Sequence, residues 1–385
     1  MSKNKYILFS LAFFQGLVFY GPFVLLFKLE RGLSLSSIFL LDAIFLIIML
    51  CFELPWGIVA DKIGYKKTLI ISSFLFLLSR IVVYNSYSFL GFFMANIFMG
   101  LAISGMSGVD SAMLYLSVKK EESDKVFGIY GAFATIGFFI ASLSSSFLVK
   151  YSLNFLVFLT IISYGIAFLI CLFLKDAETN RELEEKNKNK FSISNFFSFK
   201  LLDKKILIFI LSLAILSETT HTLVVLLNQP LYKRSGINIA LFGILTAFIQ
   251  IATFIGLKAY KIKEYLGIKK LCYLVLLAIT IGSGVLIFTR NPFIVVGMIF
   301  IIEGAFALII PISETIKNDS ISSSKRVTIL STYAVIMNVV GTLSKFFIAL
   351  VAKKSLDSTL LFCLLLNILA LGIMGFYFKR SKVKA

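Results

Sequence analysis

The chain has 385 residues, 59% of them hydrophobic and only 15% charged, with a mean hydropathy of +0.95. Water-soluble domains carry about 25% charged residues, so a soluble globular fold is excluded. A net charge of +18 would suggest nucleic-acid binding in a soluble protein; here membrane topology accounts for it, and no nucleic-acid partner is expected.

A bilayer core is crossed by roughly 20 residues of apolar helix. Read on that basis, the sequence predicts an all-α integral membrane fold with twelve spans. They lie near 6–28, 36–58, 68–87, 89–116, 127–149, 154–174, 205–228, 238–257, 270–288, 292–316, 327–350 and 357–378. The first, from Tyr6 to Phe27, is too long for a signal-peptide core and lacks a small-residue cleavage site. The fourth and tenth exceed the bilayer thickness and are expected to tilt or project. Cys51, Cys171, Cys272 and Cys363 all fall within apolar runs without a CxxC pair, so they read as small hydrophobes and not as disulfide partners or metal ligands.

With the N-terminus placed in the cytoplasm, 28 of the 38 Lys and Arg residues lie on the inner side and 8 on the outer, while Arg80 and Lys345 fall inside spans. That bias predicts a multi-pass protein of a bacterial-type cytoplasmic membrane with both termini inside.

Charge density peaks between residues 175 and 204, where Glu182, Glu184, Glu185, Lys186, Lys188 and Lys190 cluster. The segment reads as a solvated cytoplasmic linker between an N-terminal six-helix bundle (1–174) and a C-terminal one (205–385). Its second part, Phe191 to Leu202, has the composition of a short interfacial helix. The halves repeat weakly. Ile63 to Lys67 recurs as Leu266 to Lys270 at an offset of 203, Gln15 maps onto Glu218 at the same offset, and Asp110 maps onto Glu314 at 204. Two parallel pseudo-symmetric bundles with substrate near the midplane are one transporter design.

Between spans two and three stand Gly57, Asp61, Lys62, Gly64, Lys66 and Lys67. Their spacing closely resembles the GxxxD(R/K)xG(R/K)(R/K) signature of the major facilitator superfamily. Glu53, Pro55 and Gly57 resemble the Glu-x-Pro-x-Gly that precedes this loop in many bacterial members. Gln229–Pro230 and the run Arg326 to Ser331 resemble further landmarks at spans seven and eleven. The resemblance covers essentially the whole chain and is nearest to the drug–proton antiporter-like branch. It departs from that branch in span five, where Gly131 and Gly137 stand without the usual Gly-Pro.

The resemblance implies the major facilitator fold, alternating access, and a cavity lined by spans one, four, seven and ten. Physically, Gly57 and Gly64 permit close approach and a tight turn. Asp61 suits the N-terminus of a helix in the other half, with span eleven the expected partner. Lys66 or Lys67 is expected to pair with Asp110 in span four as an inner latch, and Glu53 is assigned to the same gate.

Ionisable residues inside spans are costly and mark function or pairing. Glu218 and Glu303 are the candidates for a coupling proton, because burial penalises a carboxylate's charged form. Thr222, Val225 and Gln229 are expected on the face of Glu218, with His221 and Asn228 beside it; Gln15, Phe19 and Asn96 are the polar or aromatic candidates of spans one and four. His221 reads either as a relay or as a packing histidine, and Asp42 as reaching water or Arg31. Arg80 and Lys345 either bind an anionic substrate or snorkel outward. Phe19 and Phe133 offer aromatic faces to a cationic ligand.

No phosphate-binding Gly-Lys-Ser/Thr loop or Cys/His metal set is present in the sequence. An enzyme or a primary pump is therefore not expected; no cofactor is implied, and a proton gradient is the expected energy source. Three readings remain. The leading one is proton-coupled efflux of amphipathic or cationic small molecules. The alternative is uptake or facilitated passage of a polar metabolite such as a sugar, nucleoside or organic acid. The third is a non-transporting membrane sensor or assembly factor. A monomer in the lipid bilayer is expected.

Overall fold

The computed structural model describes residues 3–117, 123–175, 204–319 and 326–380. All regular elements among them are helical, and twelve candidate spans are long and apolar enough to cross a membrane. All but two residues of the proposed linker, 176–203, lie outside the described residues.

Several spans are not single helices. Span one stops at the end of Asn4–Gly16, turns through Leu17 (ψ 68°), and resumes as Gly21–Phe23 and Val24–Glu30. Pro22 sits at the restart, where its missing N–H costs nothing. Span four, expected to tilt or project, is broken into Phe89–Met106 and Val109–Leu116, because Gly108 adopts a left-handed φ of +78°. Span seven runs as Lys204–His221, passes through a π-helical turn at Thr222–Leu226, and ends as Asn228–Arg234. Span eight contains a six-residue 3-10 stretch, Thr253–Lys258, longer than such geometry usually persists. Its Gly256 approaches span ten so closely that a Cβ there would stand 2.7 Å from the Ala307 carbonyl oxygen. Span ten is continuous from Pro292 to Asp319 despite Pro311.

The helices gather into two compact units, Met1–Glu184 with Ile239–Ala247, and Glu185–Asn238 with Phe248–Ala385. In the first unit, Leu8, Leu11, Leu69, Ala102, Met113 and Cys171 are buried in one apolar core. Spans one and five cross there with backbone contact. A Cβ on Gly16 would lie 2.3 Å from the Ala134 oxygen, and one on Gly137 would lie 2.4 Å from the Phe13 oxygen, the small-residue packing that brings membrane helices together. Ile239–Ala247, the head of span eight, belongs to this unit for the same reason. A Cβ on Gly243 would meet the Ser142 carbonyl oxygen at 2.2 Å, the Ile244 N–H donates to Ser146 Oγ at 2.8 Å, and Phe242 stacks on Phe23.

The repeat of 203 residues extends to backbone geometry. Gly64 (φ 90°, ψ 155°) and Gly267 (φ 76°, ψ 156°) make the same turn, and each precedes a 21-residue helix, Tyr65–Asn85 or Ile268–Phe288. Ser152 and Ser355 each cap a helix by accepting the N–H three residues on, worth about 1 kcal/mol apiece. Arg31 donates to the carbonyls of Ser86 and Tyr84 and to the side chain of Asn154. Arg234, 203 positions later, donates to the carbonyls of Leu286 and Thr289 and to the carboxylate of Asp357. Each arginine thus ties the C-terminal carbonyls of one span to the first turn of another. Arg31 is thereby committed to these partners and not to Asp42.

Candidate functional site

In the second unit a charged pair is sealed among helices. Glu218, on Lys204–His221, is 7% exposed, and Lys345, on Arg326–Ala352, is 4% exposed. Glu218 Oε1 lies 3.7 Å from Lys345 Nζ and accepts from Thr222 Oγ1 at 3.4 Å. Glu218 stands in the last turn of Lys204–His221 and Thr222 opens the π-helical turn that follows it, while Gly341 and Lys345 are four apart on Arg326–Ala352. Gly341 makes the room, since a Cβ there would stand 3.3 Å from Glu218 Oε2. Lys345 therefore does not snorkel; it is held inward as the counter-charge to Glu218.

Beside the pair runs a neutral polar chain. Thr219 Oγ1 lies 2.5 Å from Asn367 Oδ1, Asn367 Nδ2 donates to Ser283 Oγ at 3.3 Å, and all three residues are fully buried. Sequence reading passed over Thr219, Asn367 and Ser283, although polar residues deep in apolar spans were the available signal.

The other candidates of this unit fall in different settings. Val225 was expected on the face of Glu218 but is 44% exposed, while Gln229 is buried. The π-helical turn at Thr222–Leu226 adds a residue to the turn, so the 3.6-residue periodicity does not carry through it. Asn228 accepts the N–H of Gln229 with its own side chain at the start of Asn228–Arg234. His221 is exposed on the span. Glu303 is half-buried in the middle of Pro292–Asp319 and has no hydrogen bond or ion pair among the described residues.

In the first unit the centre of charge is Arg80, 4% exposed on Tyr65–Asn85. It too is turned inward instead of snorkelling. One terminal nitrogen donates to Tyr20 Oη at 2.7 Å and faces Met99 Sδ at 3.7 Å; the other donates to Tyr164 Oη at 3.2 Å. Gln15 donates to Met106 Sδ at 3.6 Å. Phe19 sits in the irregular stretch of span one. Asn96 is spent on packing, donating to the Leu41 carbonyl at 2.8 Å. Phe133 stacks on Phe9.

The gate motif is more helical than expected. Leu35–Ile63 carries Gly57 and Lys62 within its last turns, and Lys66 and Lys67 lie in the first turn of the next helix. Only Gly64, at φ +90°, is a true turn, and no atom lies within 4 Å of a Cβ placed on Gly57. The side chain of Asp61 lies outside the described residues, as do those of Arg326, Val327 and Thr328. Asp110 does not pair with Lys66 or Lys67 among the described residues. It sits in the first turn of Val109–Leu116, accepting from Tyr130 Oη at 2.8 Å and from the Ser111 N–H at 2.6 Å. Glu314, its counterpart in the repeat, pairs with Lys317 on the same helix. Trp56 packs under Gly105, where a Cβ would stand 3.1 Å from the indole.

Twelve apolar helical spans, several broken by irregular turns and carrying buried ionic groups, define a polytopic helical membrane protein. The chain belongs to the Major Facilitator Superfamily, whose profile matches residues 7–345.

An uncharacterized transporter of Buchnera aphidicola subsp. Schizaphis graminum is 28% identical over 152 residues, covering 38% of both chains. One of Buchnera aphidicola subsp. Baizongia pistaciae is 29% identical over 216 residues, covering 54% of this chain and 53% of its own. The chain thus spans between about two fifths and about half of the length of these relatives. Among solved structures, the nucleoside transporter NupG superposes with a TM-score of 0.78 at 16% identity, covering 99% of this chain and 100% of that one. A D-xylose–proton symporter superposes with a TM-score of 0.70 at 14% identity, covering 96% and 95%. At these identities the likeness is one of fold.

Proposed function

We propose that the chain is a proton-coupled secondary transporter, working as a single chain in a bacterial cytoplasmic membrane with both termini inside, and that Glu218 is its proton site. The buried Glu218–Lys345 pair carries this reading. While Glu218 is charged, the pair is internally neutral. Protonation of Glu218 removes the negative charge beside the Lys345 ammonium in a buried site, where losing a counter-charge costs several kcal/mol. An anionic substrate carried in the same cycle restores the lost negative charge. Proton and substrate then bind together and travel in the same direction, which is symport of a polar, anionic metabolite. The superposing D-xylose–proton symporter is compatible with this direction. A cationic substrate, by contrast, would have to displace Lys345 from Glu218.

The test uses the full chain in proteoliposomes with an internal pH dye and a panel of organic acids, nucleosides, sugars and one lipophilic cationic dye. A solute that accumulates under an inward proton gradient and carries protons with it is the expected outcome. Glu218→Gln should retain exchange of that solute across the membrane but lose gradient-driven accumulation. Expulsion of the cationic dye dependent on Glu218 would overturn the symport reading.

One observation favours the efflux reading instead. Glu303 is a mid-span carboxylate without an ion pair among the described residues, and such a group attracts a cation. Dye movement abolished by Glu303→Gln but untouched by Glu218→Gln would select proton-coupled efflux.

A further inference from the structure

We infer that Arg80, together with the hydroxyls of Tyr20 and Tyr164, is a seat for the oxyanion of the carried solute, a carboxylate or a phosphate ester. The inference rests on the transporter reading above only in taking the anion as cargo.

The guanidinium is buried to 4% exposure, and every group it touches is neutral. No carboxylate stands within ion-pair distance among the described residues. The rings of Tyr164 and Tyr20 lie 4.7 and 5.8 Å from the guanidinium carbon, a weak substitute for a counter-ion. Arg80 Nε is buried without a hydrogen-bond partner. Both phenols accept from the arginine, so each keeps its own O–H proton to give to an incoming oxygen. A planar cation flanked by two hydroxyl donors is a chemistry that selects oxyanions.

Packing does not require this charge, and the repeat supplies the comparison. At the offset of 203, Arg80 falls on Ser283 and Tyr164 on Asn367. Those two residues meet as a neutral hydrogen-bonded pair, Asn367 Nδ2 to Ser283 Oγ at 3.3 Å. The second unit thus fills the same place in its fold without an ion. In the first unit the extra cation stands unpaired, a cost that persists in membrane proteins where the ion serves function.

The seat also lies against broken backbone. Tyr20 comes from the irregular stretch between Asn4–Gly16 and Val24–Glu30, and Met99 from the helix that ends at Ser107–Gly108. Interrupted helices are where membrane transporters place ligands. Displacement of Tyr20 from that irregular stretch is the movement that admits the anion.

The test is binding without any gradient, on the purified full chain in detergent, read by thermal unfolding with a thiol-reactive dye that labels the buried Cys171, Cys272 and Cys363 on melting. The probes are acetate, benzoate, succinate, inorganic phosphate and glucose 6-phosphate at matched ionic strength, with benzamide and glucose as uncharged counterparts. Saturable stabilisation by at least one carboxylate or phosphate probe, and none by its uncharged counterpart, is the expected result; the carboxylate and phosphate arms tell the two sources apart. Arg80→Gln should weaken that binding by roughly tenfold to a hundredfold, the range of a lost charge-assisted hydrogen bond. Tyr20→Phe, which leaves the packing in place, should weaken it several-fold. Arg80→Gln without probe should melt no lower than the parent, because it removes an uncompensated ion. This binding is read with no proton gradient present, so a failure of proton coupling in the transport assay alone leaves this result standing. Equal anion binding by the parent, Arg80→Gln and Tyr20→Phe overturns the inference, as does a parent that none of the anions stabilises.

Discussion

Replacing Glu218 and Lys345 singly and together measures whether the pair is an energetic unit. At 3.7 Å and an effective dielectric constant of about 20, their attraction is about 4 to 5 kcal/mol. Desolvating the two ions consumes most of this, so the intact pair is close to neutral for stability. Breaking it is not neutral, because the survivor is a buried charge that has lost its counter-ion. Glu218→Gln and Lys345→Met should each cost about 3 to 5 kcal/mol, whereas the double variant should return to within about 1 kcal/mol of the parent. Thermal unfolding in detergent reads the cycle. At about 2 °C per kcal/mol for a large chain, each single variant should melt about 6 to 10 °C lower, and the double within about 2 °C of the parent. Gly341→Ala is a useful companion, since its methyl would sit 3.3 Å from Glu218 Oε2 and should weaken the pair without removing a charge. If the double variant is as unstable as the sum of the singles, within about 0.5 kcal/mol, the two groups do not interact. The proton-site reasoning then fails with them.

Three further outcomes follow from local geometry. Gly243→Val places side-chain atoms where even a Cβ would be 2.2 Å from the Ser142 oxygen; it should lower the melting temperature and abolish transport, while Gly128→Ala, with open space around it, should change neither. Gly64→Ala forces a Cβ into φ +90°, ψ 155°, a conformation nearly confined to glycine, and should cost about 1 to 3 kcal/mol; Gly57→Ala should leave the melting temperature unchanged. Asp357→Asn removes an exposed ion pair with Arg234 and should cost less than about 1 kcal/mol, because Asn154 already makes the equivalent contact to Arg31 in the first unit; a loss of several kcal/mol would show that the charge, not the hydrogen bond, is what Arg234 uses.

How far the site was legible depended on the range of the interaction involved. Glu218 and Glu303 stood out because a carboxylate in an apolar run is visible in one dimension. Nothing in one dimension tells that Lys345, 127 positions further on, turns inward to meet Glu218, nor that Glu303 has no partner among the described residues. Snorkelling is the default for a lysine or arginine near a span end, and it fails for Lys345 and Arg80 because Gly341 opens a space for one pair and two tyrosines enclose the other cation. The latch expected between Asp110 and the lysines after Gly64 is replaced in this structure by Tyr130, a residue from span five that no spacing argument connects to span four.

The sequence by itself determined the membrane class, the twelve spans and the repeat, because hydrophobic length and recurrence are properties of segments read one at a time. It also carried the superfamily, through a signature whose glycine turn needs only its own φ angle. The breaks in spans one, four and seven, the π-helical turn that rotates Val225 away from Glu218, and the choice of partner for each buried ion were decided only in the tertiary structure. Those depend on which backbones approach within a few ångströms, and a polar group in an apolar interior takes whichever partner that packing brings to it.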